Sequence, residues 1–430
     1  MEHGNLKATA LGPRGAGGLS PTFWAICAAS TVSWLGDFIQ QIGLIWLSLK
    51  LTGSAAGVAG TLLFAMVPAA ILTPLAGPLI DRYDRRAVLV LCDVLRGAMV
   101  CSIALAVSMG QLFAIAALVS VLGSLSSPAK RALIADAVPA DRLVRANSLL
   151  SATRVACRIV GPAAAGYIIQ ALGAGAAFLI NGASFFSSGA IIWLGARVSA
   201  ASRPVPSQGA KAFGRELGSG LARVRAIPGV GGLLVTMALV STAFGTSNVL
   251  LWVHAEQNLG AGPRELGFLT SALAAGMLVG SAIVGRGGPR LGGVYPMLAA
   301  STSVCGAGLI LFAAAPGIAV AALSRVVLGM GAAGYDISLR SYLQAIAPAE
   351  FRGRILSVFE GMDYLVSAGA MALVGAAWDL LGIKPLLFGG GGLLLLSPLA
   401  LAAGWRRSHA DGAGGEGRMP RRGAGSPGRR

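Results

Sequence analysis

The 430-residue chain is 55% hydrophobic and only 12% charged, with a formal net charge of +17 at pH 7 and a mean hydropathy of +0.73. A soluble protein carries charge on roughly a quarter of its residues, so this composition excludes a fold whose surface is all in water. The short alternating segments of a β-barrel are absent as well.

Apolar runs of about 20 residues recur along the whole chain, each able to cross ~30 Å of hydrocarbon as a helix. Lipid supplies no hydrogen-bond partner for the backbone, so such runs must be helical. The pattern predicts twelve spans, over 22–49, 54–80, 87–108, 112–129, 152–171, 175–195, 229–253, 265–285, 293–314, 317–339, 355–380 and 385–405. The first run is too long for the apolar core of a signal peptide and is read as a retained span. The expected organisation is an N-terminal tail (1–21), a six-helix half (22–195), a linker (196–228), a second six-helix half (229–405) and a basic tail (406–430). Phe213, Leu217, Leu221 and Val224 recur at helical spacing in the linker. They fit a helix lying on the membrane or an ordinary linker helix with a solvated face. The Gly-, Arg- and Pro-rich tail has too little apolar surface to order itself and is expected to be disordered.

Of the 34 lysines and arginines, 29 fall on one side of this topology. Lys50, Arg264 and Lys384 fall on the other, and Arg96 and Arg325 lie inside spans. The positive-inside rule then places both termini and the basic loops in the cytoplasm, with the chain multi-pass in the cell membrane. Anionic lipid, rather than nucleic acid, is the expected partner of that charge. The five cysteines sit inside apolar runs, where core packing is their expected role, and His3, His254 and His409 are too scattered to hold a metal. No cofactor is implied. A Walker loop is missing, so uphill transport would draw on an ion gradient.

Between spans two and three runs Gly77-Pro78-Leu79-Ile80-Asp81-Arg82-Tyr83-Asp84-Arg85-Arg86, followed by Asp93-Val94-Leu95-Arg96. This resembles the signature loop of the major facilitator superfamily, and its Asp-Arg-x-x-Arg form is similar to that of the macrolide and enterobactin exporters. Gly36-Asp37, Ala146-Asn147-Ser148 and Arg352-Gly353-Arg354-Ile355-Leu356-Ser357 are similar to the same branch. The second-half counterpart of the loop, Gly285-Arg286-Gly287-Gly288-Pro289-Arg290, lacks the acid.

The resemblance implies an all-α major facilitator fold, a monomer, and export of a drug-like compound or secreted siderophore by proton-coupled alternating access. It also implies a conformational latch in which Gly77, Asp81, Arg82, Arg85 and Arg86 meet Arg354 at the start of span eleven when the protein is outward-open. Gly161, Pro162 and Gly166 in span five resemble the exporter motif, and they allow a kink and close helix approach. A proton-driven importer and a transport-inactive sensor or scaffold share the fold. A membrane enzyme acting on lipid-linked substrates would need clustered loop acids, and only Asp81 and Asp84 offer any.

An ionisable side chain deep in lipid is a functional candidate. Asp37 lies about 22 Å along span one, on a face with Ser30, Ser33, Trp34, Gln40 and Gln41 that is expected to line a cavity of substrate or proton contacts. Arg158, Arg325, Glu360 and Asp363 join this candidate set. Spacing predicts ion pairs between Asp93 and Arg96 and between Asp336 and Arg340, and the heights of Arg325 and Asp363 suggest a third pair.

Overall fold

The computed structural model describes residues 19–80, 83–105, 108–196, 230–287, 293–346 and 352–412. These are helical, with no strand among the described residues. The helices are α1 (Pro21–Thr52), α2 (Ala55–Ile80), α3 (Arg85–Ile103) and α4 (Met109–Ala137), then a stretch Leu143–Gly195. Gly173 interrupts that stretch at φ 82° and ψ 162°, dividing it into α5 (143–172) and α6 (174–195). After them come α7 (Val230–Leu259), α8 (Pro263–Gly287), α9 (Val294–Ala313), α10 (Ile318–Ile346), α11 (Arg352–Leu381) and α12 (Ile383–Gly412). Ten helical stretches are long and apolar enough to cross a membrane, counting the α5–α6 stretch once. α3 is not among them, because Arg85, Arg86, Asp93 and Arg96 dilute its hydropathy.

Local chemistry sets several ends. Ser20 caps α1 by accepting from the Phe23 N–H at 3.1 Å, with Pro21 in the first turn. Gly53, at φ 62°, closes α1 in the left-handed conformation a Cβ would disfavour. Asp84, first read as part of the loop motif, is the N-cap of α3 and accepts from the Arg86 and Ala87 N–H groups at 2.8 and 3.0 Å. Within the spans, serine and threonine hydroxyls such as Ser30, Thr61 and Ser338 donate to carbonyls four residues back, so they enter apolar surroundings already satisfied.

α1 packs along the α5–α6 stretch, α2 against α4, and α3 against α4 and α6; α7 packs against α11 and α12, α8 against α10, and α9 against α10 and α12. The two groups meet chiefly through α5 with α8 and α2 with α11. Large apolar side chains such as Leu365, Leu373, Leu380 and Trp193 are exposed on the outside, as a helical bundle in hydrocarbon requires. The 196–228 linker, apart from Ala196, and most of the 406–430 tail lie outside the described residues; 406–412 continue α12.

Candidate functional site: a charged cleft between two groups of helices

Among the described residues, the contacts that join the two groups at atomic range lie at the end remote from the chain termini. A Cβ on Gly166 would overlap the Pro263 carbonyl oxygen, and one on Gly267 would overlap that of Pro162, so α5 and α8 touch backbone to backbone. The Ala163 N–H donates to Ser271 at 3.0 Å across the same seam. Gly375 of α11 abuts Ala59 and Ala56 of α2. Lys50 pairs with Glu256 at 3.9 Å, and the Gln257 amide donates to the Gly53 carbonyl at 3.2 Å. Gly161, by contrast, packs against Phe38 of α1 within its own group. Toward the termini α5 and α8 part, leaving a groove of about 920 Å³ along α5 from Val144 to Ile159, with Leu278 of α8 opposite.

Inside the first group, Asp37 sits halfway along α1, about 24 Å from its start. Its carboxylate accepts from the Arg96 guanidinium at 2.6 Å, with 40% of the aspartate side chain and 11% of the arginine exposed. Arg96 also lies 4.1 Å from the centre of the Phe185 ring. The expected Asp93–Arg96 bond is therefore corrected: Arg96 reaches across to α1, while Asp93 accepts from Ser188 of α6 at 2.7 Å. Trp34 has Lys130 of α4 and Arg154 of α5 at 5.7 and 5.9 Å from its ring. Arg158, one turn on, is exposed.

The polar face expected on α1 is only partly a cavity wall. Ser30 and Ser33 are buried where α1 lies along the α5–α6 stretch, with Gly36, one turn on from Ser33, against Asn181 and Ser184 of α6, and Ser30 satisfies itself on the Ile26 carbonyl. Trp34, Asp37 and Gln40 are partly exposed and Gln41 is exposed. Gln40 accepts from Asn181 of α6 at 3.5 Å, and Asn181 in turn accepts from Ser184 at 3.1 Å.

In the second group, Arg340 is a hub. It bonds Asp336 at 2.7 Å one turn earlier on α10, and Glu360 of α11 at 2.7 Å. Asp363, one turn beyond Glu360, accepts from Ser241 of α7. The Arg325–Asp363 pair expected from the sequence does not form. Arg325 is about 31 Å from the terminal end of α10 and Asp363 about 16 Å from that of α11, so their heights differ by about 15 Å. Arg325 is 2% exposed and donates to Ser247 at 3.1 Å beside Phe312.

Of the latch residues, Gly77 lies in α2, Asp81 and Arg82 lie outside the described residues, and the Arg354 side chain is likewise not described. Arg85 bonds Asp136 of α4 at 2.6 Å. Arg86 donates to the Trp193 carbonyl of α6 and stacks 4.7 Å from the Trp193 ring. Both arginines thus tie α3 to its own group. No cluster of metal-ligating side chains occurs among the described residues.

Lys130, Phe185, Asn181, Ser188 and Ser241 complete these clusters and were not singled out from the sequence. Each acts across helices, and only an i,i+4 spacing such as Asp336–Arg340 leaves a trace in one sequence.

Residues 17–407 match a family described as transmembrane secretion effectors. The chain is 25% identical over 390 residues to an uncharacterized MFS-type transporter, YfiS, of Bacillus subtilis (strain 168), covering 88% of this chain and 92% of that one. It is 22% identical over 375 residues to macrolide efflux protein A of Streptococcus pyogenes, covering 84% and 90%. Its fold is similar to the crystal structure of the POT family transporter PepTSo, with a TM-score of 0.72 at 12% identity over 90% of this chain and 98% of that one.

Proposed function

Because the chain belongs to the transmembrane secretion effector family of major facilitator transporters, we propose that it is a proton-coupled exporter of an amphiphilic drug-like compound or secreted metabolite, with both termini cytoplasmic. The observation that carries this reading is the asymmetric cleft: sealed by backbone contact at Gly166 and Gly267, and open toward the termini as a groove lined by Asn147, Ser148, Val155 and Ile159 of α5 and Leu278 of α8. Such a cleft is one of the two states an alternating-access carrier needs. The efflux activity in the name of the streptococcal relative supports the outward direction.

In this reading the protein makes twelve passes. The ten apolar stretches become twelve when the α5–α6 stretch is counted on both sides of Gly173 and α3 is added, its inner charges being met by Asp37 and Ser188. Asp37 carries the coupling proton. As a carboxylate it holds Arg96; protonation releases the guanidinium and lets the helices of the first group shift. Arg158, Glu360 and Asp363 contact substrate from the two walls. Asp81 and its neighbouring arginines latch onto the start of α11 when the cytoplasmic end closes and the cleft opens outward.

Everted membrane vesicles test the direction and the coupling. A fluorescent amphiphilic dye or a labelled macrolide should accumulate inside when the lumen is acidic, and a protonophore should stop it. Accumulation that ignores the proton gradient removes the coupling assignment. Topology has its own check. Single cysteines in the 196–228 linker should react with an impermeant maleimide only in everted vesicles, and one replacing Lys50 or Lys384 only in intact cells. Reaction with the opposite sidedness would invert the protein.

A further inference from the structure

Arg96 is only half used by Asp37. Its Nη2 donates to the Asp37 carboxylate at 2.6 Å, while its Nε is buried with no hydrogen-bond partner among the described residues. A buried donor left unpaired costs free energy that a second arrangement of the side chain would recover. α1 and α3 share little other packing, so the bond between Asp37 and Arg96 is the tie between these two helices.

A second acceptor stands on the same helix as Arg96. Asp93 precedes it by three residues, which puts the two Cβ atoms about 5–6 Å apart, and helical side chains lean toward the N-terminus, here toward Asp93. Asp93 is 3% exposed; among the described residues it bonds Ser188 alone, at 2.7 Å, and is in no ion pair. Phe185, on which Arg96 stacks, lies three residues from Ser188 on α6, so both positions of the guanidinium lie along one face of that helix. Lys130 of α4 is the other cation facing both acids, and Cys92 of α3 and Arg154 of α5 are the titratable groups beside them. α2 and α6 carry none. On α7, Glu256 pairs with Lys50 more than three turns beyond Asp37, and Arg264 and Glu265 stand in the first turn of α8 at the same sealed end.

We propose that Asp93 is a positioning residue of the proton step: when Asp37 takes a proton the Arg96 guanidinium leaves it for the Asp93 carboxylate, and when Asp37 loses the proton the guanidinium returns. One proton binds the Asp37 carboxyl group, the hydrogen bond from Arg96 to Asp37 breaks, and one from Arg96 to Asp93 forms. The cation is never stranded in the bundle. The bond that joined two helices becomes a bond within one, which unties α1 from α3. The move gives up part of the stacking on Phe185, so a chain held in this arrangement is less stable than the wild type. This inference rests on the assignment of the coupling proton to Asp37.

Asp37→Asn imitates the protonated acid, and cryo-EM of that variant, full-length in nanodiscs, should show the guanidinium within hydrogen-bond distance of Asp93. Thermal unfolding gives an independent reading. Asp93→Asn should lower the midpoint little in the wild-type chain, where Arg96 stays on Asp37, and several times more beside Asp37→Asn, where neither acid is left for it. Transport reads the same exchange without altering Asp37. Asp93→Asn should lower kcat of gradient-driven export by about tenfold or more with KM little changed, and Asp93→Glu should restore most of it. A guanidinium that stays beside residue 37 in Asp37→Asn, additive losses in the unfolding cycle, or full kcat in Asp93→Asn overturns the exchange. Export that ignores the proton gradient, with the guanidinium still moving onto Asp93 in Asp37→Asn, would remove the coupling reading and leave the exchange standing.

Discussion

Asp37→Asn should reduce gradient-driven export to background while the protein still inserts and binds substrate. The amide keeps the shape of the carboxyl group and cannot titrate. It also leaves the Arg96 guanidinium, 11% exposed and stacked on Phe185, without its counter-charge. Breaking a fully buried pair costs about 3–5 kcal/mol; the 40% exposure of Asp37 lets water answer part of that, so the loss of stability should be smaller. A double-mutant cycle separates the two effects. Asp37→Asn with Arg96→Gln should recover thermal stability relative to either single variant, because no charge is stranded, yet should not recover coupled export. Full gradient-driven transport by Asp37→Asn would take the coupling role away from this residue. Recovery of transport in the double variant would make the pair purely structural.

The partner of Asp37 is the kind of fact a single sequence hides. The position of Asp37 is legible, because one acid in a run of apolar residues can be placed by counting 1.5 Å per residue from the start of the helix. Arg96 is not legible as its partner. Along α3, three-residue spacing favours Asp93, and only the tertiary arrangement, with Asp37 of α1 within reach of Arg96 and α6 packed on α3, decides that Arg96 turns to Asp37 and Asp93 to Ser188. The same reasoning separates Ser33 from Gln41: both lie on one stripe of α1, but Ser33 is buried where α1 lies along the α5–α6 stretch, whereas Gln41 is exposed.

Helix existence is read more easily than helix pairing, since length and hydropathy are local while contacts are not. Even so, α3 shows the limit of hydropathy. Its four charged residues leave it less apolar than the other spans, although Asp93 and Arg96 are met by neighbouring helices. For Arg325 and Asp363, opposite signs entering from opposite ends invited a pair, and the helical rise alone places them about 15 Å apart in height. Spacing within one helix carries information, as at Asp336 and Arg340, whereas the second bond of Arg340, to Glu360, depends on how α10 and α11 pack.

Gly267→Leu should have the other large effect, on the population of states rather than on any charge. The closed end of the cleft rests on backbone touching backbone at Pro162 and Gly267 and at Gly166 and Pro263. A carbonyl on a rigid helix cannot move aside as a flexible side chain would, so any Cβ at Gly267 must push α5 and α8 apart. Overpacking of this kind costs about 1–3 kcal/mol, and every 1.4 kcal/mol is tenfold in an equilibrium, so the state sealed at this end should lose roughly 5- to 150-fold in population. Ser271, 8% exposed and bonded to the Ala163 N–H beneath the seal, is the place to read it. In a background without native cysteines, Ser271→Cys should be nearly inert to an impermeant maleimide added from the Lys50 side, and should become reactive once Gly267 is leucine. Turnover should fall by more than tenfold while equilibrium binding of substrate changes little, because the carrier can no longer reset. Gly267→Ala should give a weaker version of the same shift. Ser271→Cys that stays unreactive beside Gly267→Leu, with transport intact, would mean that the α5–α8 contact is not the seal.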